Sequence, residues 1–213
     1  MKLILLRHAE SHHSKQQQIA DVHGCHGLTP RGVVQAHRLA ARLHSTGEFR
    51  DCTTLLCSPV ARARQTLDII GAAIPLPAVE IDPDLREVLP GLADGLTWDT
   101  YHTRYGAFDL VAEPDRPFAP DGESWTQFMA RVATTLNRLA THYPQQTVVA
   151  MTHAGFIVGA LLTLFAIPRP GTGARVEPKY TSLTVWHKVD GHWQLEHYND
   201  AWHLDHPPTH EAA

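Results

Sequence analysis

Residues 1–11, MKLILLRHAES, decide how the rest of the chain is read. Leu3 to Leu6 form an unbroken apolar run too short for a helix, so residues 2–7 are expected to form a short buried strand. Arg7 and His8 follow at once, placing a cation and an imidazole at the strand's carboxyl end. Two further apolar runs, Thr53 to Cys57 and Thr147 to Met151, read the same way, and His153 lies just past the second in AMTHAGF. In open α/β sheets ligands bind in the crevice outside the carboxyl ends of the strands, so these positions mark where chemistry would sit.

Helix signals fill the spaces between the strands. Thr29-Pro30 and Ser58-Pro59 each put a capping hydroxyl before a proline at the first helical position. Ser124 with Gln127 forms a capping box that opens a helix over Trp125 to Thr141. After Thr29, Val33, Leu39, Ala40 and Leu43 form an apolar stripe, with Arg38 and Arg42 expected to point outward. Phe156 to Ile167 is apolar throughout but falls short of a bilayer span, so it reads as a buried helix. Residues 182–187 and 192–197, separated by Val189-Asp190-Gly191, read as a hairpin. The region from Pro75 to Pro120 is proline-rich and weakly periodic, with short helices expected around Thr97 to Phe108.

The order of these elements predicts an α/β, three-layer sandwich with a mostly parallel mixed sheet covered by helices on both faces. The expected organisation is a single domain over residues 1–206, with a loop-rich lid at about 85–120 and a mobile tail over 207–213.

Bulk properties narrow the partners. The 213 residues are 43% hydrophobic and 19% charged, a globular balance, and the formal net charge is -4. Such a surface repels nucleic acid and anionic membranes, so a small anionic ligand is the natural partner. Cys25, Cys52 and Cys57 form no C-x-x-C pair and leave an odd count, which points to a reducing compartment. Leu3 to Leu6 is too short for the core of a secretory signal, so a cytoplasmic location is expected.

The reactive residues converge on a dianion. Arg7 and His8, His153, and Arg62 in CSPVARARQT come from three separate strand ends, and helix N-termini there add backbone N–H donors. Arginine suits bidentate contact with phosphoryl oxygens, and an imidazole can attack phosphorus to form a covalent intermediate. The departing alkoxide needs a proton, for which Glu87 in DLREVLPGLADGLTW is the candidate. Arg64 is read as a solvated neighbour, and Glu87 could instead pair with Arg86. Glu10 and Ser11 are placed close to His8, either at substrate or as loop supports.

LRHAES, LTPRGVVQA, CSPVARARQT, LREVLPGLADGLT, PDGES and MTHAG occur in an order that resembles the histidine phosphatase superfamily, which includes the cofactor-dependent phosphoglycerate mutases. The terminal NDAWHL, residues 199–204, is similar as well, so the likeness runs from Leu6 to Leu204. The resemblance implies that His8 is the phosphorylated residue, with Arg7, Arg62 and His153 in the phosphate pocket and Glu87 as the acid. It implies hydrolysis of a small phosphorylated metabolite without metal or cofactor. Ala9 and Ala154 stand where relatives carry glycines, and Ser14 where many have a phosphate-contacting asparagine. The expected substrate contacts are thus Arg7, Arg62, His153, Ser11, Ser14 and Ala154.

A mutase would need a basic entrance, whereas the stretch Asp99 to Arg116 offers only Arg104 and Arg116, so a hydrolase is favoured over a mutase or a non-catalytic phospho-ligand binder. The aromatic residues Trp98, Tyr101, Tyr105 and Phe108 either line the mouth or pack the lid. His23/His26 and His203/His206 with His210 suggest metal pairs but lack a structured ligand set, so no metal site is expected, and the last group is read as a solvated tail. A homodimer through an edge strand of the late hairpin is a further expectation.

Overall fold

The computed structural model of the chain describes residues 1–107, 109, 112–168 and 175–206. Strands β1 (Lys2–Arg7), β2 (Thr54–Cys57), β3 (Val79–Ile81), β4 (Thr147–Thr152), β5 (Leu183–Val189) and β6 (His192–Asp200) form one sheet in the order β3-β2-β4-β1-β5-β6. Neighbours from β3 to β1 run parallel, and β5 and β6 are antiparallel additions. The helices are α1 (His12–Lys15), α2 (Pro30–Thr46), α3 (Ala61–Gly71), α4 (Trp98–Tyr105), α5 (Trp125–His142), α6 (Ala154–Leu164) and α7 (Trp202–Asp205).

The alternation of β1 explains the three layers. Ile4 and Leu6 face a core shared with Leu39 and Leu43 of α2 and Leu67 and Ile70 of α3. Leu3 and Leu5 face the opposite core, with Phe128 and Val132 of α5 and Phe156 and Ile157 of α6. Both faces of the sheet are covered, as expected for parallel strands. α6 is apolar and largely buried, and among the described residues no helix is long and apolar enough to cross a membrane.

Two predicted caps are present. Thr29 accepts from Gly32 N–H, and Ser124 and Gln127 form both bonds of a capping box. Ser58 departs from expectation: α3 starts at Ala61 with Val60 in the capping position, and the Ser58 hydroxyl is turned elsewhere. Arg42 also departs. It is buried rather than outward, because its guanidinium bonds both oxygens of Glu48 and both of Asp200 at 2.6–3.0 Å. Val33, assigned to the apolar stripe, is exposed.

The proline-rich region contains more order than its pattern suggested. It contributes β3 at the sheet edge and a small core of its own, in which Tyr101 stacks on Phe118 at 4.6 Å beside Ile19, Ala93 and Ala119. Tyr101 therefore packs this small core rather than lining a mouth. Phe108 and residues 207–213, His210 among them, lie outside the described residues. His203, read as part of a solvated tail, is buried in α7.

Candidate active site

The three parallel strands β2, β4 and β1 end at one edge of the sheet, and each delivers a residue there. Ser58 N–H bonds Met151 C=O and His8 N–H bonds Thr152 C=O, both at 3.0 Å, so the ladder continues one residue past each strand. His153 occupies the N-cap position of α6. Arg62 lies in the first turn of α3.

Arg62 ties the two imidazoles together. Its Nε donates to His8 Nε2 at 3.1 Å, Nη2 donates to His153 Nδ1 at 3.0 Å, and Nη1 donates to Ala20 C=O at 2.9 Å. A guanidinium only donates, so both ring nitrogens it meets are unprotonated acceptors. The protons then sit on the opposite nitrogens: His8 Nδ1 donates to Ala9 C=O at 2.7 Å, and His153 Nε2 donates to Ser58 Oγ at 2.8 Å. The rings stand edge-on with centroids 5.0 Å apart.

Electrostatics agree with these tautomers. Burial first, and the Arg62 charge second, push both His8 and His153 well below the ordinary imidazole range, so both rings are neutral. His8 therefore presents a free-base Nε2 toward the cleft arginine.

Arg7 donates from Nη1 to Pro178 C=O and lays its guanidinium over the Tyr180 ring, 4.0 Å from the centroid. Among the described residues its buried Nε has no partner. Thr181, with a left-handed φ of 57°, donates its N–H to the carbonyls of Arg7 and His8. Behind it Arg42 Nη1 approaches His203 Nδ1 at 3.5 Å, and His203 Nε2 meets Thr181 Oγ1 at 2.9 Å. This buried chain holds His203 inside, while Trp202 and Asp205 of the same helix stay exposed.

Glu87 faces the same cleft. Its Oε2 accepts from Gly155 N–H at 2.8 Å and its Oε1 from Val88 N–H at 3.2 Å, at the positive end of α6. Arg86 pairs with Asp21 at 3.1 Å, which leaves Glu87 unpaired by its neighbour. The loop carrying Glu87 is clamped from α5: Arg131 donates to the carbonyls of Asp84, Arg86 and Glu87 at 2.6–3.1 Å and meets both oxygens of Glu123 at 2.7 Å. A Cβ at Gly155 would stand 1.9 Å from Glu87 Oε1, so any larger residue there displaces the carboxylate.

These groups line a cleft of about 790 Å³ that includes Arg7, His8, Arg62, Glu87, Ser14 and Ala154. His153 is fully buried behind it and reaches the site through Arg62. Ser11 is buried and touches the cleft through His13, whose Nδ1 it meets at 2.6 Å. Glu10 is a loop support, accepting from Thr29 Oγ1 at 2.8 Å. Arg64 is exposed on the outer side of α3. Ala9 and Ala154 both keep negative φ, so their extra methyls bring no backbone strain.

Sequence reasoning read Ser58 only as a helix cap and did not single out His13 or the Arg131–Glu123 pair. The PDGES block held a usable signal for the last, because Glu123 in it had no other role.

Fold and site together define a phosphoglycerate mutase-like α/β protein whose cationic cleft holds two neutral imidazoles. Residues 3–201 match the family model of the histidine phosphatase superfamily (branch 1), and the chain belongs to that superfamily. The adenosylcobalamin/alpha-ribazole phosphatase of Escherichia coli (strain K12) is 28% identical over 182 residues, covering 79% of this chain and 81% of that protein. The metal-independent phosphoserine phosphatase of Arabidopsis thaliana is 26% identical over 211 residues, covering 95% of this chain and 83% of its own. The solved structure of Bacillus stearothermophilus YhfR shares the fold with a TM-score of 0.81 at 23% identity, covering 95% of this chain and 98% of that one.

Proposed function

We propose that the chain hydrolyses small phosphate monoesters through a phosphohistidine formed on His8. The observation that carries this reading is the free-base Nε2 of His8, held beside Arg62 and 5.0 Å in ring separation from His153. In the first half-reaction Nε2 attacks phosphorus, the P–O bond to the alcohol breaks, and Glu87 supplies the proton to the departing oxygen. Arg62 and Arg7 exchange their present partners for phosphoryl oxygens and carry the charge of the transition state. In the second half-reaction Glu87 takes a proton from water, the hydroxyl oxygen attacks phosphorus, and the P–N bond breaks to return neutral His8 and free phosphate. His153 positions Arg62, and Ser14 and Ala154 border the bound group.

The alcohol part of the substrate would lie against Ile19, Val88, Pro90, Trp98, Phe118 and Trp125, an apolar wall. Among the described cleft residues the full cations are Arg7 and Arg62, one phosphate's worth. Arg104 packs on the Tyr105 ring and Arg116 pairs with Glu113, so neither supplies the basic entrance that a bisphosphate-handling mutase needs. The reading also takes residues 1–206 as one domain with 85–120 as its lid, and the cytoplasm as its location, consistent with three free cysteines. The open edge of β6 is the surface a homodimer would use.

A phosphomonoester panel, run with and without EDTA on wild type and His8→Ala, tests the reading. Wild type should turn over p-nitrophenyl and 1-naphthyl phosphates in both conditions, and His8→Ala should lose at least about a thousandfold in kcat. Full activity in His8→Ala would remove His8 from the mechanism.

A further inference from the structure

α1 is a single turn beside the phosphate pocket, and its first capping position is occupied by Ser11 in extended geometry, with φ -126° and ψ 161°. A serine there ordinarily accepts a backbone N–H two or three residues on. Ser11 makes no such bond. Its fully buried hydroxyl instead meets His13 Nδ1 at 2.6 Å, so a helix cap is given up to fix an imidazole.

The ring so fixed faces the cleft. The His13 centroid is 6.3 Å from that of His8, and His13 lines the same cavity as Arg7, Arg62 and Glu87. Among the described residues the buried Ser11 O–H meets no other acceptor, which assigns it as donor to Nδ1 and leaves the ring proton on Nε2. The contact at Nε2 is Ser14 Oγ at 3.4 Å, a long bond that a ligand would displace at little cost.

We propose that His13 is a third imidazole of the phosphoryl pocket, donating from Nε2 to an oxygen of the bound phosphoryl group. This rests on the phosphatase reading above and adds to it a residue that binds the reacting group directly. The charged and titratable groups around His13 are Arg7 and His8 at the end of β1, Arg62 on α3 and His153 at the start of α6, with Ser11 and Ser14 on its own turn. Burial, then Arg62 and Arg7, push His13 down to about 3, so the ring is neutral at ordinary pH. A bound dianion reverses that field and favours proton uptake by His13.

Steady-state kinetics on p-nitrophenyl phosphate and competitive inhibition by inorganic phosphate test the proposal in wild type, His13→Ala, His13→Gln and the neighbouring His12→Ala. Loss of one charge-assisted hydrogen bond predicts that His13→Ala lowers kcat/KM and weakens phosphate by about tenfold to a hundredfold. His13→Gln, whose amide reaches the Nε2 position, should recover most of both at neutral pH, and His12→Ala should match wild type. The advantage of wild type over His13→Gln for phosphate should widen as pH falls below neutrality, because glutamine cannot take up the proton. His13→Ala within about twofold of wild type in both measurements would overturn the proposal. Equal impairment of His13→Ala and His13→Gln would do the same, by reducing His13 to a loop support. An inactive wild type would instead overturn the phosphatase reading itself.

Discussion

Arg62 makes three donor bonds, and two of them end on ring nitrogens that must be unprotonated. One buried guanidinium thus sets the tautomers of His8 and His153, and burial first, with its charge second, keeps both neutral. His13 and His203 are also held below the usual range, to about 3 and about 4, each by burial first and an arginine next. The sign for stability follows from linkage. Below an ordinary imidazole value of about 6.5 the unfolded chain binds protons at these four positions that the folded chain refuses, so stability is lost as pH falls through that value. The loss ends once pH passes below the folded-state values. Calorimetry from about pH 8 to about pH 5 should show Tm falling from near pH 6.5 downward; a flat Tm over that window would contradict the neutral-imidazole description. His8, His153 and Arg62 could be read from sequence because strand ends and first helical turns address one crevice. His13 could not, since it stands in a histidine-rich run without periodicity, and Ser58 could not, because a hydroxyl before proline looks like a cap whether or not an imidazole lies opposite.

Helix α6 does two jobs with one glycine. Its N-cap is His153, and Gly155 offers an N–H to Glu87 where a Cβ would meet the carboxylate at 1.9 Å. Gly155→Ala should improve intrinsic helix propensity by about 1 kcal/mol while forcing Glu87 away from its present position. The expected result is a kcat at least about tenfold lower with Tm within a few degrees of wild type, measured by steady-state kinetics and thermal unfolding. Unchanged kcat would mean that the Glu87 position does not matter. β1, β2 and β4 were legible from their apolar runs, and α2 and α5 from the caps that open them. β3 was not: its three residues are exposed, and its identity comes from the ladder to β2. Arg42 was misread for a related reason, since Asp200 lies 158 residues away and the helix stripe shows only nearest neighbours.

Two opposed cores hold the sheet between helix layers, and the strand order brings β2, β4 and β1 side by side with their carboxyl ends aligned. That arrangement makes one cationic cleft out of residues 7, 8, 62 and 87, and Phe118, from the small core around Tyr101, lines its apolar side. The three-layer class followed from the order of elements alone. The packing of the proline-rich region did not, because its contacts join Ile19 to residues 93–119 across long sequence gaps. The central claim is that phosphorus becomes bonded to His8 during turnover. Rapid mixing with a monoester labelled in its phosphoryl group, quenching in base to preserve phosphohistidine, and peptide mapping measures this directly. The expected result is an acid-labile label on the peptide containing His8, formed at least as fast as steady-state turnover. Full turnover with no such label, or a label on His153 instead, would contradict it.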